Sequence, residues 1–282
     1  MKIDIPISDA DVPPLLRVSG LSKRYTRGGM WRGCLPVTAV ARADFEIAKG
    51  KTLALVGRSG SGKSTAARCV ARLEKPDAGE IWLHGTDIAK LRERDLRPFR
   101  HEIQMIFQDA VTSMNPRFSA EQIIAEPLLI QGGASHEDRR ARAHELMAEV
   151  GILPTWAARL AFDFSGGQRQ RLAIARALAL KPRLLVLDEA LSALDLSSQA
   201  QIANLLLELQ ATHSLTYLFI SHDLALVSRL ADEIAVIAAG EIVERGPTSR
   251  VVGNPRHGET KALLACARRF QSSFEATGRA PR

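Results

Sequence analysis

Eight consecutive residues carry the most specific chemistry in this sequence. Gly57-Arg58-Ser59-Gly60-Ser61-Gly62-Lys63-Ser64 sets glycines, hydroxyls and one lysine at fixed intervals. The glycines let the backbone bend until successive N–H groups converge, a concavity suited to phosphate oxygens. Lys63 can reach the β- and γ-phosphates of a nucleotide, and the Ser64 hydroxyl can ligate Mg2+. Thr65 adds a hydroxyl beside the α-phosphate. Far downstream, the run Leu184-Leu185-Val186-Leu187 ends in Asp188-Glu189. Two carboxylates closing a buried apolar strand are costly unless paired or metal-bound. Asp188 can hold Mg2+ through water, and Glu189 can polarise a water for attack. Together these residues point to hydrolytic phosphoryl transfer.

That chemistry needs a strand, a tight turn and a helix in immediate succession. Lys51–Val56 reads as the strand and Thr65–Leu73 as the helix, closed by Lys75-Pro76-Asp77-Ala78-Gly79. A helix starting near Lys63 also aims its positive dipole end at the phosphates. Further strands are predicted over Ile103–Phe107, Leu184–Leu187, Tyr217–Ile220 and Ile234–Ile237, with helices over Gln199–Gln210 and Leu224–Leu230. Strands alternating with helices indicate an α/β sheet with parallel character. From Leu15 to Ile47 short apolar runs suggest more strands, with Gly28, Gly29, Gly33 and Pro36 marking a loop. Residues 119–180 are largely helical in pattern, and residues 1–14 read as a loose tail.

Composition narrows the class. The 282 residues are 46% hydrophobic and 24% charged, enough for a sizeable core and against global disorder. The net charge of +7 includes no dense basic run interleaved with aromatics, so nucleic acid is not an expected partner. Cys34, Cys69 and Cys266 are far apart and odd in number, which argues against disulfides and zinc. No apolar stretch approaches the ~20 residues needed to span a bilayer. A path across a membrane would therefore be made by other chains.

Phe164-Ser165-Gly166-Gly167-Gln168-Arg169-Gln170-Arg171 resembles the signature motif of ABC ATPases, with Phe164 in place of the usual Leu. Read physically, Ser165 and two glycines open a helix and make a second anion site at its N-terminus. The resemblance covers about residues 15–265 and implies a P-loop NTPase α/β core with a mainly parallel sheet, an N-terminal antiparallel β subdomain and an inserted helical subdomain at about 109–180. The ATPase domain would span 15–250. By the same resemblance Tyr25 would stack on adenine, and Gln108 would contact Mg2+ or water and sense a membrane partner. Ser192–Asp195 would form the D-loop, with Asp195 near nucleotide, and His222 would touch the γ-phosphate.

Phe107–Arg117 and Asn254-Pro255-Arg256-His257 with Thr260–Leu264 look like the oligopeptide, dipeptide and nickel importer subfamily, making 251–282 a C-terminal extension of that type. Ala110 and Ala190 stand where prolines are usual, and His257-Gly258-Glu259-Thr260 departs from the usual His-Pro-Tyr-Thr. The resemblance implies ATP and Mg2+, and a second ATPase subunit, identical or different, sandwiching two ATPs head to tail. It also implies integral membrane permeases and, indirectly, an extracytoplasmic solute-binding protein. The chain would sit peripherally on the cytoplasmic face of the inner membrane and power uptake of peptides, nickel or a related small solute. A non-transport ABC ATPase, such as an accessory subunit of carbon–phosphorus lyase, is the alternative.

Overall fold

The structure is a computed structural model that describes residues 13–27, 35–108 and 113–266. Cys34, Asp109, Ala110, the tail before residue 13 and the extension beyond residue 266 lie outside the described residues.

Ten strands form one sheet: β1 (Leu16–Arg27), β2 (Leu35–Ile47), β3 (Thr52–Val56), β4 (Ala78–Leu83), β5 (Thr86–Asp87), β6 (Ile103–Ile106), β7 (Leu184–Asp188), β8 (Thr216–Ser221), β9 (Glu233–Ala238) and β10 (Glu241–Pro247). Their spatial order is β5-β4-β1-β2-β10-β9-β3-β8-β7-β6. β1, β2, β4 and β5 pair antiparallel, whereas β9, β3, β8, β7 and β6 run parallel. The two regions meet at a single parallel pairing, Glu241 with Arg42.

The parallel strands are apolar on both faces because both faces are covered. Successive side chains sort strictly by period two. Ala54, Val56, Leu185, Leu187, Tyr217, Phe219, Ile234 and Val236 enter one core with the helices of the central insertion. Leu53, Leu55, Leu184, Val186, Leu218, Ile220, Ala235 and Ile237 enter the other, with the antiparallel strands and helix α1 (Lys63–Val70). That helix turns Ala66, Ala67, Cys69 and Val70 inward, and burial pushes the Cys69 thiol up to about 12, so it behaves as a small apolar group. Cys266 is exposed.

The remaining helices are α2 (Glu93–Leu96), α3 (Ala120–Gln131), α4 (His136–Glu149), α5 (Gly166–Leu178), α6 (Leu196–His213), α7 (Leu224–Leu230) and α8 (Thr248–Gly253), and a further helical stretch runs over 258–266. Serine caps with reciprocal side-chain bonds start α3 at Ser119, α4 at Ser135 and α5 at Ser165. No described helix is long and apolar enough to cross a membrane.

Two local expectations are corrected. Pro36 is not in a loop but inside β2, paired with Thr26. A proline is tolerated there because β2 meets β10 only at Arg42, leaving its first half a free edge. Helix α6 begins at Leu196 rather than Gln199, because Asp195 caps it, and ends past Gln210 at His213, where Ser214 turns the chain with φ 53°.

Leu185 is fully buried in the central sheet. Leu185→Ala should lower unfolding stability by about 2–5 kcal/mol, the cost of a rigidly walled cavity, measured by urea titration.

Candidate functional site

Strand register alone assembles the site. Val56 at the end of β3 pairs with Ser221 of β8 and Val236 of β9. Asp188 of β7 pairs with Ile220, and Leu187 with Ile106 of β6. The residues that follow, Gly57, Glu189, His222 and Gln108, therefore leave one edge of the sheet together. This carboxyl edge is where open parallel sheets bind ligands.

The glycine loop is held by backbone from distant strands. A Cβ on Gly57 would lie 2.3 Å from the Ile237 carbonyl oxygen. Gly62 has φ 106°, and a Cβ there would lie 2.2 Å from the Ala39 carbonyl oxygen. The Gly240 N–H donates to the Ser61 carbonyl at 3.0 Å. Gly240 sits in the Ala239–Gly240 turn, both residues at positive φ, that joins β9 to β10. The sequence reading missed Ala39, Ile237 and Gly240. They act through main-chain atoms, so of these only the Ala-Gly turn leaves a trace in the sequence.

Inside this cradle Lys63 is 4% exposed, and its ammonium donates to the Gly57 and Arg58 carbonyls, both at 2.9 Å. Burial lowers its pKa, and the negative charges of Glu189 and Asp188 oppose that shift. Ser64 Oγ donates to Asp188 Oδ1 at 2.8 Å. Asp188 is also 4% exposed, and burial raises its pKa against the Ser64 bond. The Ser61 hydroxyl is buried without a hydrogen-bond partner among the described residues. Ser59 and Gly60 are exposed at the loop's tip. A buried cation, a converging loop and an orphaned hydroxyl fit a phosphate. A hydroxyl beside a carboxylate is a set of hard oxygens, the kind Mg2+ selects.

Glu189 adopts φ 47°, a left-handed backbone that is strained for a residue with a Cβ. Its N–H donates to Ile220 O at 3.0 Å, and its carbonyl accepts from Ser192 N and Oγ at 3.1 and 2.8 Å. The turn sends the Glu189 carboxylate toward His222, with Oε2 3.6 Å from Nδ1. The His222 ring is largely exposed, and the next residue, Asp223, caps α7 through Ala225 and Leu226 N–H. Gln108 is exposed two residues beyond β6.

Other candidates lie further out. Tyr25 is on β1, its hydroxyl donating to the Glu74 carboxylate, with Lys23 Nζ 5.5 Å from the ring centroid. Its side chain also bonds to Thr65, linking it to α1, and burial followed by Glu74 raises its pKa. Ser165 caps α5: its Oγ accepts from Gln168 N at 3.3 Å while Gln168 Oε1 accepts from Ser165 N at 3.0 Å. Gly166 and Gly167 approach Leu194 and Ser198 rather than the Lys63 loop. Asp195 accepts from Ser197 Oγ, Ser198 Oγ and Ser198 N, bonds that hold its carboxyl well below the usual range.

Residues 40–192 match the family described as ABC transporter. The chain belongs to the ABC transporter family. Over 255 residues it is 47% identical to the "Probable peptide ABC transporter ATP-binding protein y4tS" of Sinorhizobium fredii, covering 90% of this chain and 72% of that one. It is 47% identical to the "Glutathione import ATP-binding protein GsiA" of Escherichia coli, covering 90% and 41%. It is 45% identical to the "Oligopeptide transport ATP-binding protein OppD" of Mycobacterium tuberculosis, covering 92% and 43%. The chain thus spans less than half of the latter two relatives. The fold superposes on the dimeric ATP-binding cassette MJ0796 in a post-hydrolysis state bound to ADP and Pi, with TM-score 0.73, 28% identity, and 83% and 98% of the two chains covered. The α/β P-loop fold expected from the sequence is the fold of these ABC cassettes.

Gly62→Ala combines a disallowed φ with a backbone collision, so no side-chain rotation relieves it. This ABC protein should lose about 2 kcal/mol or more of stability on that change. Thermal melting and binding of a fluorescent nucleotide check it.

Proposed function

We propose that this chain is the ATP-hydrolysing subunit of a bacterial ABC importer for peptides, nickel or a related small solute. The relatives that share its sequence are described as peptide, glutathione and oligopeptide transport proteins, which favours peptides. One observation carries the hydrolytic reading. Buried Lys63 and Asp188, the strained Glu189 and the adjacent His222 all leave one sheet edge around the glycine loop.

The proposed chemistry follows from these positions. ATP lies against the loop N–H groups, with Thr65 beside the α-phosphate and Tyr25 beside the base. The Lys63 ammonium exchanges its bonds to the Gly57 and Arg58 carbonyls for bonds to phosphate oxygens. Ser64, Gln108 and Asp188 would hold Mg2+, which when bound neutralises phosphate charge. Glu189 orients a water and takes its proton. The bond from water oxygen to the γ-phosphorus forms as the bond to the β-phosphate oxygen breaks, giving ADP and inorganic phosphate. His222 steadies the in-line arrangement. This is positioning and electrostatics rather than covalent catalysis.

A second subunit, identical or different, would present its own Ser165–Gln168 and Asp195 to the nucleotide. Membrane-spanning permeases would receive the resulting closure through the segment after Gln108. A solute-binding protein outside the membrane would choose the cargo. The working location is the cytoplasmic face of the plasma membrane. The expected organisation is an ATPase domain over 15–250, with its helical part at about 109–180, followed by a C-terminal extension.

Glu189→Gln should leave ATP binding intact and cut steady-state hydrolysis by about a hundredfold or more, while favouring an ATP-bound dimer. Retained turnover, read by phosphate release, would remove Glu189 from the role of base. Lys63→Ala should weaken nucleotide affinity by about tenfold or more, since it deletes charge-assisted bonds to phosphate. Unchanged affinity in a fluorescence titration would refute the assignment.

A further inference from the structure

The last described segment of the chain reaches back to the site. Glu244 on β10 is 8% exposed. Its carboxylate accepts from the backbone N–H of Arg256 at 3.1 Å and of His257 at 2.9 Å. Arg250 Nη1 lies 3.7 Å away. Burial works against the charge, but the His257 N–H, the Thr260 hydroxyl, the Arg256 N–H and the Arg250 guanidinium together hold the carboxyl below its usual range. One buried carboxylate thus fixes where the helical stretch over 258–266 begins.

That stretch touches both sides of the catalytic edge. Leu263, Leu264 and Thr260 share a small apolar crevice with Val56, Leu224 and Val236. Val56 immediately precedes the glycine loop, and Leu224 follows His222 by two residues. Glu259 Oε2 is 3.9 Å from Arg58 Nε, a residue within the loop whose carbonyl holds Lys63. The Arg58–Glu259 pair is too exposed to matter alone. The apolar contacts and the Glu244 anchor supply the rigidity.

We propose that Glu244 is a positioning residue for nucleotide hydrolysis: it pins the 254–266 segment as a brace that fixes the Gly57–Lys63 loop and the His222 turn relative to each other. This deepens the ATPase reading and rests on it for its kinetic consequence only. The structural consequence stands apart from catalysis, because a looser brace frees both turns with or without nucleotide.

The test compares the full-length wild type with Glu244→Gln and Leu263→Ala by two readouts. The first is amide hydrogen exchange of the nucleotide-free proteins. Both variants should speed exchange at 57–63 and at 222–226 by about tenfold, with β7 unchanged. The second is ATP hydrolysis, in which KM should rise by about threefold to tenfold. Lower melting temperature with unchanged loop exchange and unchanged KM would overturn the proposal, since the anchor would then be only structural. Unchanged behaviour in every readout would overturn it equally. Should Glu244→Gln not fold, Leu263→Ala decides, because it trims the same brace without disturbing the buried charge. If the wild type hydrolyses no ATP, the function proposed above fails, while the exchange measurement still decides the brace.

Discussion

Two opposite charges are buried at one end of a sheet, and much of the architecture follows from keeping them tolerable. A lysine or carboxylate taken out of water costs several kcal/mol unless partners replace the water. Lys63 finds them in the Gly57 and Arg58 carbonyls, and Asp188 in the Ser64 hydroxyl. These hydrogen-bond partners are neutral, and the attraction between Lys63 and the Asp188 and Glu189 carboxylates opposes burial without cancelling it. The opposed pKa shifts record this: burial lowers Lys63 and raises Asp188, each away from its charged form. A polyphosphate with its cation relieves both strains at once. That is why the pair reads as a binding site rather than as a structural ion pair.

Such a site tolerates no slack, and the slack is removed by backbone. The Ala39 carbonyl of β2 closes against Gly62, the Ile237 carbonyl of β9 against Gly57, and the Gly240 N–H against the Ser61 carbonyl. Ala41 and Arg42 N–H groups donate to the Gly240 carbonyl at 2.9 and 3.2 Å. The antiparallel strands, the hairpin and the glycine loop therefore form one hydrogen-bonded stack. The single bridge between β2 and β10 looks meagre as a sheet pairing, but it sits where this stack needs it.

What the sequence made legible was whatever is local. Gly57–Ser64 follows a strand and opens a helix within one short window, and Leu184–Glu189 carries its burial pattern and its carboxylates together. The parallel strands were visible because double burial writes uninterrupted apolar runs. β10 was not, since Glu241–Pro247 mixes charges and a glycine with only two aliphatic residues, and its place is set by the hairpin turn rather than by its own pattern. Pro36 misled for a related reason: its tolerance in β2 depends on which neighbour is missing. Asp195 was read through resemblance as a nucleotide contact. In the structure its carboxylate accepts from Ser197 Oγ, Ser198 Oγ and Ser198 N and caps α6, a cap that the two serines just downstream already suggest in the sequence.

The segment from Glu189 to Ser198 runs from the Glu189 turn to the first turn of α6, beside the Ser165 end of α5. The Glu189 carbonyl is fixed by Ser192, the Leu191 carbonyl accepts from Gln199 Nε2 at 3.1 Å and from Leu194 N at 3.2 Å, and Asp195 caps α6. The strained backbone that aims the Glu189 carboxylate is thus clamped to the first turn of α6. Gly166 and Gly167 lean on that same turn, with a Cβ at Gly167 only 3.2 Å from Ser198 Oγ. A side chain at Gly167 would crowd that turn, which is why glycine suits the position. The head of α5 therefore lies beside the same turn that fixes the Glu189 backbone. On the proposed mechanism, this places the Ser165 end of α5 and the Glu189 carboxylate on either side of one clamped turn, even though the two share no side chain.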